Sequence, residues 1–422
     1  MILTLFISLV ILIIIGVPIS LSLGIASTIF LFLSGTDTVI VVQRMANGLD
    51  SFPLLALPFF LLAGLIMEKA GVTKRLMNLV NCTIAHIRGG LAAVCVITSC
   101  FFGFISGSGV ADTAAIGTVM MPEMVKKGYH KSFTAMLQAA AGDLGMIIPP
   151  SIGLVVIGIA GNISIGRLLV GGIIPGWLTG FLLVAVAVII SRKRGYVGSE
   201  HKSTWRETLI ALRGAVLPLF TPLIIIGGIL SGIFTPTEAA VVAVVYALIL
   251  GIIYKEIRFR DLYHVFEEAA KTSAIIMFII SLASPFGWIM AGYKVPTIIT
   301  DFFLSLSDNP IVILLCINLL LLLLGDFMET ISIIIIMTPI LIPLVTALGF
   351  DPIHFGVLMA LNLAIGGITP PLGVCLMTTC RIIDTRYPPK WADWWPIFAT
   401  MLLGLVLVIF CPFLVLWLAG KV

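Results

Sequence analysis

Apolar residues fill this chain in stretches of about 20, separated by short basic segments, and about 20 residues is the length a helix needs to cross the hydrocarbon core of a bilayer. Runs of that length imply helices rather than barrel strands. Crossings are expected at roughly 2–33, 52–68, 132–160, 168–190, 215–231, 237–253, 272–291, 353–380 and 395–418. The first, Ile2 to Leu33, reads as one long helix bent near Gly16 and Pro18, too long and uninterrupted for a cleaved signal peptide. Two apolar stretches, 90–122 and 310–344, are left over.

The pattern repeats. Gly145-Met146-Ile147-Ile148-Pro149-Pro150-Ser151 is answered by Gly367-Ile368-Thr369-Pro370-Pro371-Leu372-Gly373, each inside an apolar stretch. Each double proline follows an acid-Thr pair by about 40 residues: Asp112-Thr113, ahead of Pro122, and Glu329-Thr330, at the same distance from Pro339. Pro58-Phe59 with Ala63-Gly64 recurs as Pro285-Phe286 with Ala291-Gly292. Paired helix breaks in two related halves predict a secondary transporter whose ligand site lies at the repeat interface, near the bilayer midplane.

Composition agrees with the pattern: 60% of the 422 residues are hydrophobic and 10% charged, against about 25% charged in soluble domains. The seven cysteines show no metal-ligand spacing and read as small buried hydrophobes, and no nucleic-acid signature is present. The distribution of charge adds a topology. If both leftover stretches enter and leave on one side, 20 of the 24 Lys and Arg fall on a single face, leaving Arg44, Arg167, Lys294 and Lys421 opposite. The rich face is then cytoplasmic. Making one leftover stretch a full crossing would invert every later loop. The stretches are therefore re-entrant hairpins on opposite sides, and the repeats have inverted topology.

The expected fold is an all-α integral membrane protein with inverted repeats, two re-entrant hairpins and two broken helices. It comprises an N-terminal helix and connection (1–51) and a first repeat (52–190) with its hairpin at 90–122 and broken helix at 132–160. A basic cytoplasmic linker (191–213), scaffold helices (214–271) and a second repeat (272–422) follow, the last with its hairpin at 310–344 and broken helix at 353–380. Residues 69–89 are partly amphipathic, suited to the interface plane.

The hairpin tips differ in chemistry. Ser106-Gly107-Ser108-Gly109 favours a tight reversal, and half-helices meeting there would aim terminal partial charges at the midplane. Carbonyls and hydroxyls suit a hard cation, whereas helix N-terminal amides suit a carboxylate. Gly325-Asp326-Phe327-Met328-Glu329-Thr330 places two acids at the second tip. Two readings stand for the acids: Asp112, Asp326 and Thr330 cap new half-helices, or the acids couple a cation or proton. Backbone carbonyls near Gly145, Ile148, Gly367 and Thr369 are candidate ligands. Gln138, Asp143, Asn318 and Asn362 are expected to bridge helices by hydrogen bonds, and Arg381 to snorkel. Gly-Asp at 142–143 and 325–326 raises an intramembrane aspartyl protease as a rival, without the Tyr-Asp partner such an enzyme needs.

These residues resemble the large membrane subunit of TRAP (tripartite ATP-independent periplasmic) transporters, within the ion transporter superfamily. The resemblance covers essentially all 422 residues. It is carried by Ile15-Gly16-Val17-Pro18-Ile19, by Leu57 to Gly64, by Ser106 to Ala115, by Ile147 to Ser151, by Phe234-Thr235-Pro236-Thr237-Glu238-Ala239-Ala240 and by Ile368 to Gly373. It implies Na+-driven import of a sialic acid, sugar acid, C4-dicarboxylate or similar carboxylate, not an enzymatic reaction, in a bacterial inner membrane. It also implies an elevator mechanism, with a transport domain moving against a scaffold. The implied partners are a periplasmic binding protein and a small four-helix membrane subunit, not fused to this chain. No cofactor is implied beyond Na+. Cation sites would lie at Ser106, Ser108, Gly145 and Ile148, and at Gly325, Met328, Gly367 and Thr369. Gly107, Gly109, Asp112, Thr113, Pro149, Pro150, Asp326, Glu329, Thr330, Pro370 and Pro371 would form hairpins or substrate pocket. The second tip lacks the Ser-Asn-Thr of related dicarboxylate carriers. The alternative is a stand-alone carboxylate or anion carrier.

Overall fold

Hydrocarbon offers a backbone no water, so its amides must be satisfied within the chain. The computed structural model, which describes residues 2–198 and 202–422, meets this with helices alone among the described residues. Helices α1 (Ile2–Ile14) and α2 (Ile19–Leu33) replace the single bent helix expected over 2–33. Gly16 at φ +92° and the missing amide hydrogen of Pro18 end one helix before the other begins, and the two pack on each other. Then come α3 (Val39–Leu49), α4 (Ala56–Lys69), α5 (Val72–Ile84), α6 (Gly90–Ser106), α7 (Gly109–Lys126), α8 (Lys131–Asp143), α9 (Ile152–Gly161), α10 (Ile165–Gly171) and α11 (Ile173–Lys193).

The second half holds α12 (Trp205–Leu230), α13 (Pro236–Tyr254), α14 (Phe259–Gly292), α15 (Val295–Leu306), α16 (Pro310–Gly325), α17 (Thr330–Ala347), α18 (Pro352–Gly366), α19 (Val374–Ile382), α20 (Trp391–Phe410) and α21 (Phe413–Ala419). Among the described residues, seven helical segments are long and apolar enough to span a bilayer. Three departures from expectation stand out. The break between α11 and α12 is narrower than the 191–213 linker, so Arg206 and Arg213 are helical. Helix α14 begins within the loop expected at 254–271 and runs 34 residues, or about 51 Å at 1.5 Å per residue, longer than the hydrocarbon core is thick. Helix α15 occupies a stretch for which no element was expected.

Both hairpins form. In the first, Gly107 takes the left-handed conformation (φ +64°) and Ser108 is extended, so the chain reverses over two residues between α6 and α7. In the second, Asp326 to Glu329 turn the chain from α16 into α17. Both broken helices form as well. Helix α8 passes through a tight turn at Leu144–Met146 and an open stretch before α9; α18 is separated from α19 by Gly367 to Gly373. The Pro149-Pro150 and Pro370-Pro371 bonds are both cis.

Helices α8 and α18 are the buried axes of the two repeats: every residue from Phe133 to Asp143 and from Ile353 to Gly366 is buried. Polar side chains there must pair within the protein. Gln138 accepts from the Cys95 thiol at 2.8 Å and donates to Ser99 at 3.4 Å, tying α8 to α6. Asn362 donates to the carbonyl and side chain of Asn318, both at 2.9 Å, tying α18 to α16. Each broken helix is thus clamped by an amide to the first arm of its own hairpin, the bridging role expected of three of these side chains. Backbones also meet closely: a Cβ on Gly103 would stand 3.1 Å from the Gly145 Cα, and one on Gly325 3.1 Å from the Gly366 Cα.

Asn362→Ala removes both bonds to Asn318. Side-chain bonds between membrane helices average about 0.6 kcal/mol and reach about 1.7 kcal/mol, so a fall of a few degrees in the thermal unfolding midpoint is expected. An unchanged midpoint would show that the clamp contributes nothing.

Candidate functional site

The site is where the two tips meet the two breaks. At the first tip Ser108 caps α7, its hydroxyl accepting the Ala111 amide at 3.5 Å. Ser106 accepts the Ser108 amide at 3.1 Å and donates to the Asp112 carboxylate, which is wholly buried. The Gly107 carbonyl accepts the Ile152 amide, just past the first double proline, at 3.0 Å. The second tip answers this bond: the Asp326 carbonyl accepts the Leu372 amide, just past the second double proline, at 3.2 Å.

The expected capping residues are corrected by register. Helix α7 starts at Gly109, which puts Asp112 inside the first turn, so Ser108 is the cap. Helix α17 starts at Thr330, so the residue before it, Glu329, is the cap, accepting the Ser332 amide at 3.0 Å. Asp326 sits at the carbonyl end of α16 and caps no amide terminus.

A cavity of about 470 Å³ opens at this meeting point. The first repeat gives it Ser108, Gly109, Asp143, Met146 and Ile152; the second gives Gly325, Met328, Glu329, Thr330, Gly367 and Cys375. Further wall comes from Pro18 to Ser20 at the α1–α2 break, from Leu61 of α4 and from Thr272, Ile275, Ile276 and Ile279, one face of α14. Among the sequence-predicted residues, Ser106, Gly107, Asp112, Thr113, Gly145, Ile148, Pro149 and Pro150 lie behind the first tip and break rather than on the wall, as do Asp326, Thr369, Pro370 and Pro371 behind the second.

Several candidate ligand atoms already have partners. The Gly367 carbonyl accepts the Cys375 amide at 3.1 Å, and the Thr369 hydroxyl donates to the Ile365 carbonyl at 2.7 Å, leaving its lone pairs free to accept. Among the described residues no group of three or more His, Cys, Asp or Glu is placed to hold a metal ion, so a cation here would be held by hydroxyl, carbonyl and single carboxylate oxygens.

Sequence reasoning missed three parts of the wall. The Gly16–Pro18 interruption signalled a bend but not its place at the cavity. The spacing of Thr272, Ile275, Ile276 and Ile279 marks one helical face without saying what it faces. Asp143, expected to bridge helices, leaves its Oδ2 without a hydrogen-bond partner. Arg381 is exposed at the end of α19, away from the cavity wall.

Gly107 and Gly128 separate tip geometry from simple backbone preference. Both take positive φ, where a Cβ costs about 1 kcal/mol, but a Cβ on Gly107 would also collide with the Pro150 carbonyl, while Gly128 has nothing within 4 Å. Gly107→Ala should lower the unfolding midpoint more than Gly128→Ala. Equal effects of the two would dismiss the tip contact.

The comparisons with known proteins converge on one family. The profile for the tripartite ATP-independent periplasmic transporter, DctM component, matches residues 6–414. The isethionate TRAP transporter permease protein DctMQ of Oleidesulfovibrio alaskensis is 41% identical over 409 residues, covering 96% of this chain; the chain spans 64% of that longer protein. The sialic acid TRAP transporter large permease protein SiaM of Vibrio cholerae is 39% identical over 94% of this chain and 93% of its own. The 2,3-diketo-L-gulonate TRAP transporter large permease protein YiaN of Escherichia coli is 36% identical over 95% of each. Among solved structures, the Alcanivorax borkumensis YdaH transporter aligns with a TM-score of 0.63 at 15% identity, over 88% of this chain and 87% of that one, a likeness of fold. The profile match from end to end, with full-length permease relatives, means that this multi-pass membrane protein belongs to the DctM family, the large permease component of TRAP transporters.

Proposed function

We propose that this chain is the membrane-embedded large subunit of a sodium-coupled, binding-protein-dependent importer of a small organic acid in a bacterial inner membrane. The observation that carries the reading is a cavity on which both hairpin tips and both helix breaks converge. Isethionate, sialic acid and 2,3-diketo-L-gulonate, named in three relatives, are all acids, and 470 Å³ falls within the usual range for small-ligand pockets. Among the described residues no lysine, arginine or histidine lines that cavity, whereas Asp143 and Glu329 do. An anionic substrate therefore needs positive charge from elsewhere, and coupled cations supply it.

The oxygen donors for those cations come from the first tip and break (Ser106, Ser108, Gly145, Ile148) and from the second (Gly325, Met328, Gly367, Thr369). Hairpins and broken helices move together as the transport body, held by the amide clamps and glycine contacts, against a scaffold that includes α14. A small four-helix membrane subunit and a periplasmic binding protein complete the system. Reconstituted in liposomes with both partners, the chain should take up its acid only with an inward Na+ gradient. Equal uptake with choline would sink the coupling, and undiminished uptake without the binding protein would sink the tripartite assignment.

A further inference from the structure

Asp143 is the last residue of α8, and its carboxylate lies in the seam between the repeats. It is 4% exposed and stands on the cavity wall. Two missing side chains make room for it. A Cβ on Gly109, the first residue of α7, would strike Oδ1, and a Cβ on Gly367, just past the end of α18, would strike Oδ2. The two oxygens therefore meet opposite helix ends. Oδ1 faces the amide end of α7, which favours negative charge; Oδ2 faces the carbonyl end of α18, which opposes it.

Oδ2 is buried without a hydrogen-bond partner. Beside it, the final turn of α18 tightens: the Ile368 and Thr369 amides donate to Ile365 and Gly366, three residues back. That takes the Ala364 carbonyl out of the i to i−4 ladder, and its oxygen faces the same Gly367 position as Oδ2. The Cys375 thiol of α19 lies against the carboxylate from the third side. Among the described residues no basic side chain is placed to pair with Asp143. A buried carboxylate aimed at helix carbonyls is costly unless a cation or a proton joins them.

We propose that Asp143 is the charged ligand of a monovalent cation site in the inter-repeat seam, with the Ala364 carbonyl as a second donor. Hard oxygen donors and one negative charge suit Na+. The site rests on the sodium-coupled reading above and adds a ligand from the first repeat to a position built by the second. It also ties cation binding to closure of the two repeats on each other, because neither half carries both donors.

The test is Na+ binding to the purified full-length chain, measured by equilibrium dialysis with radioactive sodium and by thermal unfolding against NaCl, with choline chloride holding ionic strength constant. Asp143→Asn keeps shape and removes charge; Asp143→Ser stands in if the Asn variant is not monodisperse. The variant should bind one sodium fewer per protein, or need at least tenfold more NaCl for the half-maximal thermal shift. Wild-type affinity and stoichiometry in the variant would overturn the Asp143 site while leaving sodium coupling intact. No sodium response in the wild type would overturn the coupling itself.

Discussion

A backbone group that leaves a helix at membrane depth has to find its partner inside the protein, and both breaks of this chain depend on that constraint. Proline is the first part of the solution: Pro149, Pro150, Pro370 and Pro371 carry no amide hydrogen, so four donors that would lack helical acceptors do not exist. The opposing tips are the second part, since the Gly107 and Asp326 carbonyls take up the Ile152 and Leu372 amides. Side chains settle the rest. Ser151 donates to the Met146 carbonyl, Trp394 reaches the Ile368 carbonyl at 3.1 Å, and Tyr387 reaches the Pro371 carbonyl at 2.7 Å. Hairpin and break therefore stabilise each other, and neither is a self-sufficient element.

The repeats share backbone logic and differ in chemistry. Both clamp a broken helix to a hairpin arm with an amide side chain, and both bring glycines together where arm and break meet. The first tip encloses its acid, with Asp112 wholly buried behind Ser106. The second tip leaves Asp326 half-buried and Phe327 67% exposed. One fold motif thus serves a dry, internally bonded tip and a looser one that faces outward.

Hairpins and breaks were legible in the sequence because glycine and proline act locally: Gly107 reverses a chain and Pro149 interrupts a helix wherever they stand. The bridging amides were legible too, since Gln138, Asn318 and Asn362 have few options inside apolar helices. What escaped depends on register or on partners distant in sequence. A shift of three or four residues in the start of α7 decided whether Asp112 or Ser108 caps it. The long α14 hid behind charged residues that resemble a loop but sit on the N-terminal end of a helix longer than the hydrocarbon is thick. The place of Asp143 follows from Gly109 and Gly367, the latter more than 200 residues away, and no local pattern encodes that meeting.

The two walls of the cavity are unlike in kind. Hairpin tips and breaks supply hydroxyls, carbonyls and carboxylates, whereas the facing wall of α14 is built mainly of isoleucine. Contact between apolar surfaces has no preferred direction and depends on area rather than alignment. Under the proposed elevator reading, the polar wall would shift along the isoleucine face while its own hydrogen bonds stay made, and what would change is the area in contact. In the proposed elevator, the isoleucines would act as a bearing surface: smooth to slide on, and indifferent to where along it the load comes to rest.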